Sequence, residues 1–130
     1  MARCIALVLA GGNGSRFGGQ IPKQYELLGK RTVLRHTIEA FKRHPLIDDI
    51  LVVLRPVDKP LYLQAIEGIA ILSPVAGGDT RQESTRLGLL SLCDQNPDLV
   101  LIHDAARPFP NGEMITRTIA ALEHYSGAIP

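Results

Sequence analysis

The sequence predicts an α/β protein built on a mostly parallel sheet. Three observations carry this. A continuous apolar run, Cys4 to Ala10, empties into a glycine-rich loop, Gly11-Gly12-Asn13-Gly14-Ser15-Arg16-Phe17-Gly18-Gly19. Short apolar runs of strand length then alternate with segments of helical period. The runs are apolar throughout rather than alternating, as in strands covered on both faces. Such alternation builds βαβ units, whose ligands bind outside the carboxyl ends of the strands.

The elements follow in order. Ile5 to Leu9 is the first strand. Thr32 to Arg43 reads as a helix, with Leu34, Ile38 and Phe41 on one face and His44-Pro45 at its end. Ile50 to Leu54 is a second buried strand. Asp58 to Ile66 is a short helix with Pro60 in its first turn. Ile69 to Leu72 reads as a third strand and Pro74 to Asp79 as a loop. Thr80-Arg81-Gln82-Glu83 has the form of a capping box, so a helix runs from there to about Cys93. Leu99 to His103 is a fourth strand. Asn111 is placed to cap a last helix carrying Ile115, Ile119 and Leu122, with Gly127 after it. Ala128-Ile129-Pro130 reads as the start of a fifth strand.

At 130 residues the chain predicts one domain. Its hydrophobic fraction of 45% and charged fraction of 21% are ordinary for a globular protein. A net charge of +1 gives no general attraction to nucleic acid or anionic membrane, so any anion site must be local. Tryptophan is absent and aromatics are few, which argues against a base-stacking nucleic-acid platform. Cys4 and Cys93 stand in apolar contexts and read as two buried, reduced thiols; no Cys-x-x-Cys or Cys/His spacing suggests structural zinc. The first apolar run is too short for a membrane span and too early for a signal peptide, so the expected location is the cytoplasm.

The glycine-rich loop carries the chemistry. Without Cβ atoms, its N–H groups can close on an anion. A P-loop would need Gly-Lys-Ser/Thr, which does not occur; the dinucleotide fingerprint fails because Phe17 stands where its third glycine belongs. The loop region instead offers two cations, Arg16 and Lys23, the latter after Pro22. A guanidinium and an ammonium beside a phosphate loop suit transfer chemistry on a nucleoside triphosphate, where positioning and charge neutralisation do most of the work. The plain alternative is a pair of solvated surface cations.

Two further segments fall at strand ends. Gly77-Gly78-Asp79 precedes the helix bearing Ser84, and is either a ligand-reading corner or an ordinary helix cap. Asp104 follows the fourth strand, beside His103 and Arg107. A carboxylate there can hold Mg²⁺ or a hydroxyl, or simply close its own turn. His103 reads as structural. His36, His44 and His124 form no pattern.

Taken together, Leu9-Ala10-Gly11-Gly12-Asn13-Gly14-Ser15-Arg16, Pro22-Lys23-Gln24-Tyr25, Gly77 through Ser84, and His103-Asp104-Ala105-Ala106-Arg107-Pro108-Phe109 resemble the 2-C-methyl-D-erythritol 4-phosphate cytidylyltransferase family over essentially the whole chain. The resemblance implies a Rossmann-like nucleotidyltransferase three-layer sandwich, truncated at the C-terminus, in which residues 1–130 are the nucleotide-binding part. It implies transfer of a cytidylyl group from CTP to methylerythritol phosphate, with release of pyrophosphate and use of Mg²⁺. Arg16 and Lys23 match the family's transition-state stabilisers. Ala10, Gly11, Gly12, Asn13, Gly14 and Ser15 would hold the triphosphate. Gly78, Asp79 and Ser84 match residues that read the cytosine. Asp104, Ala105 and Arg107 match positions near the ribose, the metal and the sugar phosphate, with Asp104 the metal ligand.

Two departures stand beside it. Leu9-Ala10-Gly11-Gly12 replaces the more usual Ala-Ala-Gly form and also occurs in ribitol-5-phosphate cytidylyltransferases, whereas Ala105-Ala106 leans to the methylerythritol enzyme. Family members also continue past Pro130 with an acceptor-positioning part and a dimerising arm, and in some bacteria a cyclodiphosphate synthase domain follows. The alternatives are therefore the same transfer onto ribitol 5-phosphate or another polyol phosphate, and CTP binding without turnover. Arg16→Ala or Lys23→Ala is predicted to lower the chemical step by on the order of 10²-fold while the fold survives; single-turnover kinetics checks this, and unchanged chemistry would remove the two cations from the reaction.

Overall fold

The computed structural model describes residues 3–11, 21–107 and 112–122. Strand β1 (Cys4–Ala10) is buried at every position. After a helical turn at Lys23–Tyr25 come a short hairpin, β2 (Leu27–Leu28) and β3 (Arg31–Thr32), and helix α1 (Val33–Arg43). Then follow β4 (Asp49–Leu54), α2 (Lys59–Ala65), β5 (Val75–Ala76), α3 (Arg81–Ser91), β6 (Leu99–Asp104) and α4 (Gly112–Leu122). The main sheet has the order β5-β4-β1-β6, and every pairing in it is parallel.

The helices that sequence periodicity predicts form where the caps allow. Thr32 starts α1 by accepting the N–H of Arg35 at 3.1 Å, and Thr80 starts α3 by accepting that of Glu83 at 3.0 Å. The Glu83 carboxylate is engaged by Arg86 one turn on, at 2.6 and 3.0 Å, so only half of the expected capping box forms. The predicted Asn111 cap, Gly127 and the fifth strand at Ala128–Pro130 lie outside the described residues.

The third strand is displaced from its predicted place. Ile69 to Leu72 is not a strand, and the pairing with β4 falls instead at Val75–Ala76, inside the predicted loop. Pro74 accounts for the break. Leu72 donates to Ile50 (3.1 Å), Pro74 has no N–H to give, and pairing resumes with Val53↔Val75 and Leu54↔Ala76. Ile69 and Ile71 still pack on one core, and Leu72 on the other. The hairpin is an element the periodicity did not show, since its strands have two residues each. It turns through Gly29, whose φ of +73° few other residues would accept.

Alternation along β1 splits the core in two. Cys4, Ala6, Val8 and Ala10 face Leu34, Ile38 and Phe41 of α1, Tyr62 and Ala65 of α2, and Ile115 and Ile119 of α4. Ile5, Leu7 and Leu9 face the α3 side, with Leu51, Val53 and Leu92. The result is a three-layer sandwich. Cys4 is buried, and burial pushes its thiol up to about 11. Cys93 is exposed, contrary to the sequence reading, because it lies in the turn that follows α3 rather than on that helix's packed face. Among the described residues no strand pairs with the outer edge of β6, where Ile102 is exposed.

Helix α3 packs closely on the sheet because Gly88 has no side chain. A Cβ there would stand 2.7 Å from Leu7 Cδ1 and 2.9 Å from Val53 Cγ2. In an exposed helix, glycine to alanine stabilises by about 1 kcal/mol. Here overpacking outweighs that gain, and Gly88→Ala is predicted to destabilise by about 1–3 kcal/mol. Urea denaturation gives the sign, and a stabilised variant would refute the close approach.

Candidate active site

At the carboxyl end of the sheet the strand order reverses about β1, which has β4 on one side and β6 on the other. A cleft of about 660 Å³ opens there, within the range of small-ligand sites. Three walls meet in it: Gly11 after β1, the turn Gly78-Asp79 after β5 with Ser84 of α3, and Asp104 and Arg107 at the end of β6.

Ser84 joins the first two walls. It is buried, and its Oγ accepts the N–H of Gly78 at 3.1 Å. The same oxygen lies against the neighbouring glycines: a Cβ at Gly77 would clash with it at 2.7 Å, and one at Gly11 would touch it at 3.4 Å. The two glycine turns thus converge on one hydroxyl. Since Thr80 supplies the helix cap, Asp79 is not needed for it, and its exposed carboxylate lines the cleft.

On the third wall, Asp104 receives Nε of Arg81 at 3.0 Å and stands 3.7 Å from Nε of Arg107. Two guanidiniums about one carboxylate leave this wall net positive, suited to a phosphate. His103 points the other way by strand alternation. Its ring meets Phe41 edge-on at 5.5 Å, and its Nε2 lies 3.3 Å from the Arg107 carbonyl. It is a satisfied structural histidine, as the sequence suggests.

The turn bearing Lys23 is tied to β1 by Gln24. This buried side chain donates from Nε2 to the carbonyl of Ala10 at 3.0 Å. Lys23 itself is exposed; Gln24 is the residue of that turn that lines the cleft. Gly12, Asn13, Gly14, Ser15 and Arg16 lie outside the described residues. Ala10 is buried and contributes through its backbone. Ala105 is fully buried with its N–H given to Leu9 (2.9 Å), and the neighbouring Ala106 lines the cleft in its place.

Sequence reasoning gave no role to Arg81 or Arg55, both in the cleft wall. Arg81 was absorbed into the capping-box pattern. Arg55 directly follows a buried strand, the same signal that singled out Asp104. Among the described residues no group of three His, Cys, Asp or Glu is placed to hold a metal ion. No helix among them is long and apolar enough to cross a membrane.

The model of one protein family, described as 2-C-methyl-D-erythritol 4-phosphate cytidylyltransferase (IspD), matches residues 4–130. The chain belongs to that family. The bifunctional enzyme IspD/IspF of Paramagnetospirillum magneticum is 53% identical over 130 residues, covering 100% of this chain and 34% of that protein. The bifunctional IspD/IspF of Rhodospirillum rubrum is 51% identical over 131 residues, with the same coverage of 100% and 34%. Among solved structures, 4-diphosphocytidyl-2C-methyl-D-erythritol synthase from Anaerococcus prevotii is similar with a TM-score of 0.78 at 33% identity, covering 94% of this chain and 52% of that one. The chain thus spans about a third of the length of these curated IspD/IspF relatives and about half of that solved chain.

Burial holds the imidazole of His103 below its ordinary value of 6.5, against the upward pull of the Arg107 carbonyl and the Asp104 carboxylate. The folded chain therefore takes up this proton less readily than the unfolded chain. The stability His103 contributes is complete above 6.5 and is lost as pH falls below that value. Urea midpoints measured from neutral to mildly acid pH should fall, and His103→Gln should flatten that slope. An unchanged slope in the variant would contradict the assignment.

Proposed function

We propose that residues 1–130 are the nucleotide-binding part of a cytidylyltransferase domain that transfers a cytidylyl group from CTP to 2-C-methyl-D-erythritol 4-phosphate. One observation carries the reading: Gly11, the Gly78–Asp79–Ser84 corner and the Asp104–Arg107 wall line a single cleft. Family membership supports the choice of substrates.

In this reading the backbone from Ala10 to Ser15 holds the triphosphate. Asp79 accepts from the exocyclic amine of cytosine, a pairing that a uracil carbonyl cannot replace. Arg81 and Arg107, arrayed about Asp104, draw in the acceptor phosphate. One of its oxygens attacks the α-phosphorus of CTP in line. A new P–O bond forms, the α–β bridging bond breaks, and pyrophosphate leaves with the electron pair. Arg16 and Lys23 neutralise the charge gathering on the phosphate oxygens, and no protein nucleophile takes part. The tether from Gln24 to Ala10 keeps the Lys23 turn beside the end of β1.

Mg²⁺ fits this donor set in a limited way. It commonly binds through one or two carboxylates together with substrate phosphates and water, and Asp104 supplies one such carboxylate once an oxygen is released by Arg81 or Arg107. Bound there, the ion would supply further neutralisation of phosphate charge. The partners in this reading are CTP, a sugar-alcohol phosphate and, as the family resemblance implies, a second copy of the protein. Two free cysteines support a reducing, cytoplasmic location.

Pyrophosphate release, followed with CTP and Mg²⁺, tests the assignment against methylerythritol phosphate and ribitol 5-phosphate as acceptors. Faster release with methylerythritol phosphate is expected. Preference for ribitol 5-phosphate would overturn the acceptor, and CTP binding without release from either would overturn turnover by this chain.

A further inference from the structure

We propose that Arg55 is a further nucleotide-contacting residue, held in place by Asp58, that closes the base end of the cleft and donates to the ring carbonyl of a pyrimidine. The proposal rests on the cytidylyl reading above and assigns a residue that reading leaves without a role.

Position comes first. The register aligns Ala10 of β1 with Leu54 of β4, and Leu54 with Ala76 of β5. The next residues, Gly11, Arg55 and Gly77, therefore form one tier across the strand ends. Gly77 donates to the Leu54 carbonyl at 2.8 Å, which fixes the glycine corner against the residue preceding Arg55. Asp104 lies on the other side of β1, so Arg55 belongs to the wall of Gly78, Asp79 and Ser84.

Its fork is preorganised. Nε and Nη2 of Arg55 donate to the two carboxylate oxygens of Asp58, at 3.1 and 3.4 Å. Asp58 is 4% exposed, and its N–H bonds the Arg55 carbonyl at 2.9 Å across the turn that begins at Pro56. A two-point pair to a buried carboxylate fixes the guanidinium plane, which a lysine could not do. The Arg55 side chain is 32% exposed and forms part of the cleft wall.

The ligand chemistry follows from the two charges. Cytosine presents its N4 amine donor and its O2 carbonyl acceptor on one edge, on either side of N3. The base corner supplies an acceptor in Asp79 and a donor in Arg55. This donor does not distinguish cytosine from uracil, since both have O2; it adds affinity, and Asp79 adds choice.

The contact is tested by calorimetric titration of the full 130-residue chain with CTP and with CMP. Replacing Arg55 alone would strand a buried carboxylate, so the first variant is the double change Arg55→Ala with Asp58→Asn; the second is Arg55→Lys. Both should keep a cooperative thermal melt while the dissociation constants for CTP and CMP rise together, by roughly tenfold or more. A rise for CTP but not CMP would make Arg55 a phosphate contact and overturn the proposal. So would unchanged binding of both nucleotides. No nucleotide binding by the unaltered chain would overturn the cytidylyl reading, and this assignment with it.

Discussion

Strand β1 has a parallel neighbour on each side, and the site depends on that arrangement. The connection to β4 runs through α1 on one face, and the connection into β6 runs through α3 on the other. The chain leaving β1 therefore meets a gap that neither connection fills, which is where open α/β sheets bind ligands. The start of α3 is brought to this gap by the absent side chain of Gly88, and Ser84 then meets both glycine turns. A bulkier residue at Gly88 or Gly77 would separate walls that must act on one molecule.

The two ends of the sheet are built for different purposes. At the amino end, polar groups are spent on closure. Arg3 reaches Asp49 at 3.3 Å and Gln95 at 3.0 Å, its N–H bonds Asp98 at 2.7 Å, and the N–H of Cys4 bonds Asp48 at 2.7 Å. At the carboxyl end the charged groups line a cleft. Arg81, Arg107 and Asp104 form a partly exposed group there that a phosphate could reorganise, while Arg55 is held by two bonds to the buried carboxylate of Asp58. That contrast suits a site that anchors a base rigidly and admits a second, mobile substrate.

Much of this was legible in the sequence, for physical reasons. A strand buried on both faces must be apolar throughout, so β1 and β4 announced themselves. Thr80 marked a helix start because a side-chain oxygen there can satisfy one of the helix's first N–H groups. The third strand was misplaced because apolar content drew attention to Ile69–Leu72, while the missing N–H of Pro74 leaves the strand pairing to a segment of only two residues, Val75–Ala76. The glycine corner and Asp104 were found as residues following strands. Arg55 meets the same criterion but stands in no motif; the register and the buried partner Asp58 set it apart. Ala105 was carried by its motif, but strand alternation turns its methyl into the core.

The central claim is that one cleft, formed at the ends of β1, β4, β5 and β6, holds the nucleotide. Backbone amide spectra of the isotope-labelled chain, recorded as CTP and Mg²⁺ are added, test it directly. The account predicts shifts at Gly11, Gly78, Asp79, Ser84, Asp104 and Ala106, and none at Thr32, Leu61 and Gln64, which line a separate cavity between the hairpin, α1 and α2. Shifts confined to that second cavity, or no shifts under saturating CTP, would contradict it.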